Sequence, residues 1–293
     1  MICKIMHILL RLKKRGRGFL GIQMKTCVNI SIREHLSSIY VFLHIHAYIH
    51  SRRIPRSYKP ERYTKIMTSL PTQVIGGVTV PDTPLISAAL TYARKHSTDA
   101  AYNHIQRSWL LGSVISSKVP SLQSRDLEVH AIAAILHDVG WDPMGELVSS
   151  DNRFEVDGAN AARDFLRREA PSWDKHRLQL VWDAIALHTT GSIVFHKEAE
   201  VQACAYGIWA DFQGPDRVPG GLLTWPEYQN IVDVLPRLGL MGELKEVMCH
   251  ICRTKPETTY DNTVGEWGDK YVEGYSRKGK LTADLLVTCD LDG

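Results

Sequence analysis

The sequence is short of the features that mark several protein classes. Its longest apolar run, "IYVFLHIHAYI" at residues 39–49, is about half of what a bilayer-spanning helix needs and carries His44 and His46, so no transmembrane segment and no membrane partner are expected. Six cysteines (Cys3, Cys27, Cys204, Cys249, Cys252 and Cys289) lack the dense, even spacing of a disulfide framework. That scarcity fits a reducing compartment, and the cytoplasm is the expected location. Cys249 and Cys252 form a single CxxC with no second pair, which reads as two thiols on one helix face rather than a zinc site. No internal repeat is visible, and residues 80–280 hold neither a Gly-rich phosphate loop nor a basic cluster.

Acidic residues are nearly missing from the first 66 positions, where 14 Lys and Arg face only Glu34 and Glu61. The other 227 residues carry 21 basic against 30 acidic side chains, so the formal total of +3 conceals an acidic body. A nucleic-acid partner is not expected from that balance. Residues 1–70 show no sustained period of 3.6 or 2.0 and end in "SRRIPRSYKPERYTK". They read as a basic extension that is disordered or not native, with Met67 a plausible native start. His44, His46 and His50 fall in this extension and read as coincidence rather than a metal site.

What is present, from Pro84 onward, is helix after helix. Apolar periodicity and capping residues place helices near 84–95, 99–118, 125–139, 157–170, 174–189, 197–212, 225–235, 239–252 and 261–276. Short β-type runs, "QVIGGVTV" at 73–80 and "LLVTC" at 285–289, flank this body and are expected not to make a sheet. The fold class is therefore all-α: one helical domain over residues 80–280 around a central site. With 44% hydrophobic residues the chain can bury a substantial core.

The third helix raises the functional question. "AIAAILHDVGWDP" (131–143) is apolar nearly all round, yet finishes on His137 and Asp138 just before Gly140 and Pro143. Burying that pair without partners costs several kcal/mol, and the carbonyls and negative dipole end of the helix face whatever the two side chains hold. A cation fits that field. His104 in "AYNHIQRSWLL" and Asp211 in "AYGIWADFQGPD" are further polar residues interrupting apolar helical faces. Together the four make an N2O2 set suited to Zn2+, Fe2+ or Mn2+.

Further candidates surround these four. Arg107 lies three residues after His104 on the same helical face, positioned to steady Asp138 or an anionic group, or to meet solvent. Glu155 and Asp157 in "FEVDGA" open the fourth helix, where acids either interact with the dipole or shuttle a proton. His188 ends a helix before "TTG", where it either caps the helix or enters the site. Trp109, Trp141, Trp182 and Trp209 lie near the motifs and either line a pocket or pack between helices.

The order His104, His137-Asp138, Asp211 resembles the HD superfamily of metal-dependent hydrolases. "NHIQRSW", "AAILHDVGW", "FEVDGANAARDFL", "AIALHTTGSI" and "ADFQGPD" together look more narrowly like the fungal HD proteins related to cyanamide hydratase. The resemblance covers roughly residues 80–280. It implies an all-helical fold with one divalent metal, Zn2+ before Fe2+ or Mn2+, held by His104, His137, Asp138 and Asp211, and it places His188 near the substrate. It also implies a small-molecule substrate and a metal-dependent hydratase or hydrolase that adds water to a C≡N-type carbon. A nucleotide or phosphomonoester phosphohydrolase and a non-catalytic, metal-stabilised helical domain are the alternatives. Homo-oligomerisation is the default expectation.

Overall fold

The computed structural model describes residues 70–288. Cys3, Cys27, Cys289, His44, His46, His50 and the expectations for the basic extension lie outside them. Gly76 and Gly77 decide the first element: with φ of +54° and +77° they form the tight turn that L-residues resist. β1 (Thr72–Ile75) therefore folds back antiparallel onto β2 (Val78–Pro81), with Ile75 opposite Val78. "QVIGGVTV" thus makes its own two-stranded sheet, contrary to the expectation that it would stay unpaired.

The helices follow the periodic segments. They are α1 (Pro84–Lys95), α2 (Asp99–Lys118), α3 (Leu127–Leu136), α4 (Phe154–Glu169), α5 (Lys175–Ala186), α6 (Gly191–Val194), α7 (Ala199–Gln213), α8 (Trp225–Val234), α9 (Leu240–Thr254), α10 (Thr263–Tyr271) and α11 (Thr282–Val287). Starts are set by side chains that satisfy orphan N–H groups. Thr83 accepts from Ile86 N, Thr98 from Ala101 N and Asp174 from Arg177 N, while Asp126 accepts from both Glu128 N and Val129 N. The second β-type run fails differently. Residues 285–287 continue α11, whose first turn is fixed by the Asp284 carboxylate accepting from Leu281 N at 3.1 Å, and no strand among the described residues pairs with them.

α3 is the centre of the bundle. From Val129 to Leu136 every side chain is buried, and α1, α2, α5 and α7 all pack on it. Its apolar circumference has the physical reason expected of a helix surrounded on all sides. α2 and α7 make the most extensive pairing, and glycines let them touch backbone to backbone. A Cβ on Gly207 would overlap the Ser108 carbonyl oxygen, and one on Gly112 would lie 2.5 Å from that of Ala203. Gly140 does the same for the turn after α3, where a Cβ would overlap the Phe154 carbonyl at the start of α4.

Over the open end of α3, α9 and α10 build a second apolar cluster from Phe154, Met248, Ile251, Cys252 and Val264, with Trp141 and Trp267 packed against it. Cys249 and Cys252 are free, buried thiols on α9, as their spacing indicates; Cys252 Sγ donates to the Val264 carbonyl. Among the described residues no helix is long and apolar enough to cross a membrane.

Candidate metal centre

Four side chains from three places in the chain meet where α3 stops. α2 presents His104, the end of α3 presents His137 and Asp138, and the turn after α5 presents His188; all four are at most 4% exposed. His104 Nε2 lies 3.2 Å from His137 Nε2 and 3.5 Å from Asp138 Oδ2. His137 Nε2 is 3.0 Å from Asp138 Oδ2, and His188 Nε2 is 3.5 Å from Asp138 Oδ1. His104, His137 and Asp138 each offer one ligand atom, and these lie within 4.8 Å of one another.

The outer face of each imidazole fixes what its inner face is. His104 Nδ1 meets Asp211 Oδ2 at 2.7 Å, His137 Nδ1 meets the Ala134 carbonyl at 2.8 Å, and His188 Nδ1 meets the Ile185 carbonyl at 2.7 Å. All three partners are acceptors, so each Nδ1 carries the proton and donates it. A neutral ring then leaves a bare lone pair on Nε2. Burial disfavours a second proton, holding His104 below the ordinary histidine value; burial, with His137 beside it, takes His188 down to about 4.

Three lone pairs therefore converge on a carboxylate whose two oxygens, both buried, have no hydrogen-bond donor. Acceptors facing acceptors at 3.0–3.5 Å repel unless a cation sits among them. Two neutral imidazoles and a carboxylate are a suitable donor set for a divalent transition metal, with the outer hydrogen bonds fixing tautomer and ring orientation. The residues present fit the group.

Asp211 does not join them. It stands behind His104, and both of its oxygens are taken: Oδ1 accepts from Arg107 Nε at 2.7 Å and Arg237 Nη1 at 3.0 Å, Oδ2 from Arg107 Nη2 at 2.8 Å and from His104 Nδ1. Burial pushes its carboxyl up, but the hydrogen bonds from His104 and Arg107 outweigh this and hold it well below the carboxylate range. The expected fourth ligand is placed here as the hydrogen-bond partner of His104, Arg107 and Arg237 rather than among the atoms around Asp138. Asp211→Asn is expected to weaken metal binding roughly 10–100-fold, the size typical of a lost outer partner, while metal remains measurable by titration.

Arg107 is corrected with it. Instead of reaching Asp138 or a substrate anion, its guanidinium is fully buried, bidentate on Asp211 and donating to the Leu235 and Pro236 carbonyls at 2.9 and 3.0 Å. Asp157 also turns away from the site. Its carboxylate accepts from Ser149 N and Oγ, Asn152 Nδ2 and Lys255 Nζ, the last at 2.9 Å, forming a buried tie between α4 and the end of α9. Glu155, one face round the same helix, is buried: Oε1 accepts from Thr189 Oγ1 at 2.6 Å, Oε2 has no partner, and burial raises its pKa above the usual range.

A cavity of about 320 Å3 opens against His137, Asp138 and His188, walled by Trp141, Phe154, Trp209, Phe212 and Trp267 with Thr189 and Gln213 among them. Of the four tryptophans singled out in the sequence, Trp141 and Trp209 line it. Trp109 is buried in the bundle, and Trp182 pairs with Asn160 and Arg163 on the surface. Arg237, Thr189 and Trp267 were not legible as site residues. Arg237 follows a proline outside any periodic segment, and the other two carry only generic helix or turn chemistry.

Residues 101–205 match the family model of the HD domain, a stretch that includes His104, His137, Asp138 and His188 and stops short of Asp211. No curated protein matches the chain. Residues 101–205 thus carry an HD domain, and its His104, His137 and Asp138 form a cluster that could hold a metal ion.

Proposed function

We propose that the chain is a metal-dependent hydratase or hydrolase of a small uncharged molecule, adding water to an electrophilic carbon of the C≡N type as a cyanamide hydratase does. The observation that carries this reading is the composition of the cavity wall: among the described residues no Lys or Arg lines the 320 Å3 chamber, and Lys255, which lines a second cavity touching Asp138, is held by Asp157. A phosphate ester would need cationic donors there. Arg107 is consumed by Asp211, and Arg153, at the start of α4, pairs with Asp261 at 2.6 Å.

A divalent ion, Zn2+ before Fe2+ or Mn2+, would be held by His104, His137 and Asp138, and the chemistry it supplies is a water acidified toward neutrality. The chain's own residues do the rest. His188, neutral and with its Nε2 lone pair directed at Asp138, is placed to accept a hydrogen bond from the attacking water. The aromatic walls lower the local dielectric and strengthen electrostatic interactions at the polar groups. Glu155, whose pKa burial raises, and Thr189, which is hydrogen-bonded to Glu155 and lines the cavity, are placed as a relay: Thr189 Oγ1 gives its proton to the newly anionic nitrogen as it takes one from the Glu155 carboxyl.

Metal-loaded protein is expected to convert cyanamide or a nitrile to the hydrated product and to release no inorganic phosphate from a nucleotide panel. Thr189→Val should lower kcat about 10²–10⁴-fold with little change in KM, because a proton relay acts in the transition state. Phosphate release without nitrile hydration would overturn the reading in favour of a phosphohydrolase.

A further inference from the structure

The size and lining of the chamber go beyond the reaction and describe the molecule that undergoes it. At about 320 Å3 the chamber has room for roughly ten water-sized groups, so cyanamide would fill only a fraction of it. One end is polar: His137, Asp138, His188 and Thr189. Apart from Gln213 and Thr263 the remaining wall is aromatic and aliphatic, Trp209, Phe212, Trp267, Leu244 and Met248 among it. Such a wall gains affinity by burying a broad apolar surface and by stacking against planar groups.

We propose that the substrate is an uncharged aryl nitrile or a related aryl compound with a small polar head, its ring held in the aromatic end of the chamber and its electrophilic carbon turned to Asp138 and His188. This rests on the proposed reading of the site and adds the body of the substrate to it. The ring contributes to binding rather than to bond-making, so the claim can be read without turnover.

The test is calorimetric titration of the metal-loaded full chain with two probe pairs, benzonitrile against acetonitrile and benzamide against acetamide, with quenching of tryptophan fluorescence as a second signal. The aryl member of each pair is expected to bind at least about tenfold more tightly, the discrimination an apolar pocket gives for a small added group. Met241, half-exposed on the chamber wall, tolerates enlargement, and Met241→Trp should cut aryl affinity by more than it cuts that of the methyl probe. Val264→Phe fills the interior and should do the same.

Equal binding of the two members of each pair, no binding of either, or aryl binding that survives Met241→Trp would overturn the proposal. The two claims fail separately. Aryl binding without hydration by any metal form removes the hydratase reading and leaves only the aryl-binding chamber standing. Cyanamide turnover without aryl preference removes this one alone.

Discussion

Asp138→Asn is expected to cost the protein its metal and its turnover together. The Asp138 carboxylate is buried against the inner nitrogens of His104, His137 and His188, and those rings hold its pKa below the usual carboxylate value despite burial. Asparagine keeps the shape and removes the charge that a cation needs. A metal at a thousandfold excess over Kd adds about 4 kcal/mol that the variant cannot collect. Loss of the several kcal/mol that a metal contributes to the transition state lowers the rate on the order of a thousandfold or more. Scanning calorimetry of both proteins, with chelator and with metal, checks all of this. A variant less stable than the parent in chelator, with activity retained, would make Asp138 a structural residue.

Gly207→Ala should be the most damaging small substitution far from the chemistry. Its added methyl collides with the Ser108 carbonyl where α2 and α7 cross, and a backbone atom in a packed helix cannot swing aside as a side chain can. A loss of about 3 kcal/mol is expected, against total stabilities of about 5–15 kcal/mol for domains. Because α2 carries His104 and α7 carries its partner Asp211, separating the two helices also loosens the metal site. Gly242→Ala, on α9 with nothing within 4 Å of the new methyl, is the matched control. It should stabilise by about 0.5–1 kcal/mol through helix propensity. Thermal melting of the pair separates crowding from any general effect of replacing glycine. Similar melting temperatures for the two would show that the helix crossing yields easily.

Periodicity carried most of the fold into view. α1 and α2 have the expected bounds, because Thr83, Thr98 and the following prolines or apolar runs mark their ends chemically. α3 is shorter than its pattern: its apolar content says that it is buried, but not where the chain tightens into the turn at Val139–Trp141. The exposed run Leu285–Val287 is too short for its composition to separate strand from helix.

At the site, the central His-Asp pair was legible because apolar burial and polar chemistry collide in adjacent residues. Asp211 was legible as a polar interruption on α7, but such an interruption does not reveal which nitrogen of His104 it will face. Glu155 and Asp157 illustrate a constraint that was available in the spacing. Residues two apart on a helix point about 200° apart, so both could not enter one site. The structure turns Glu155 toward Thr189 and Asp157 toward Lys255. Lys255 sits just past the end of α9, and its role depends on packing between helices that no local pattern encodes.

Elemental analysis of the purified chain after exhaustive dialysis, alongside Asp138→Asn and Asp211→Asn, tests the metal centre most directly. The expected result is one divalent transition metal per chain in the parent, none in Asp138→Asn, and a weakened but recoverable site in Asp211→Asn. A parent chain that holds no metal and gains no thermal stability from added Zn2+, Fe2+ or Mn2+ would contradict it, leaving the converging lone pairs of His104, His137 and His188 without their cation.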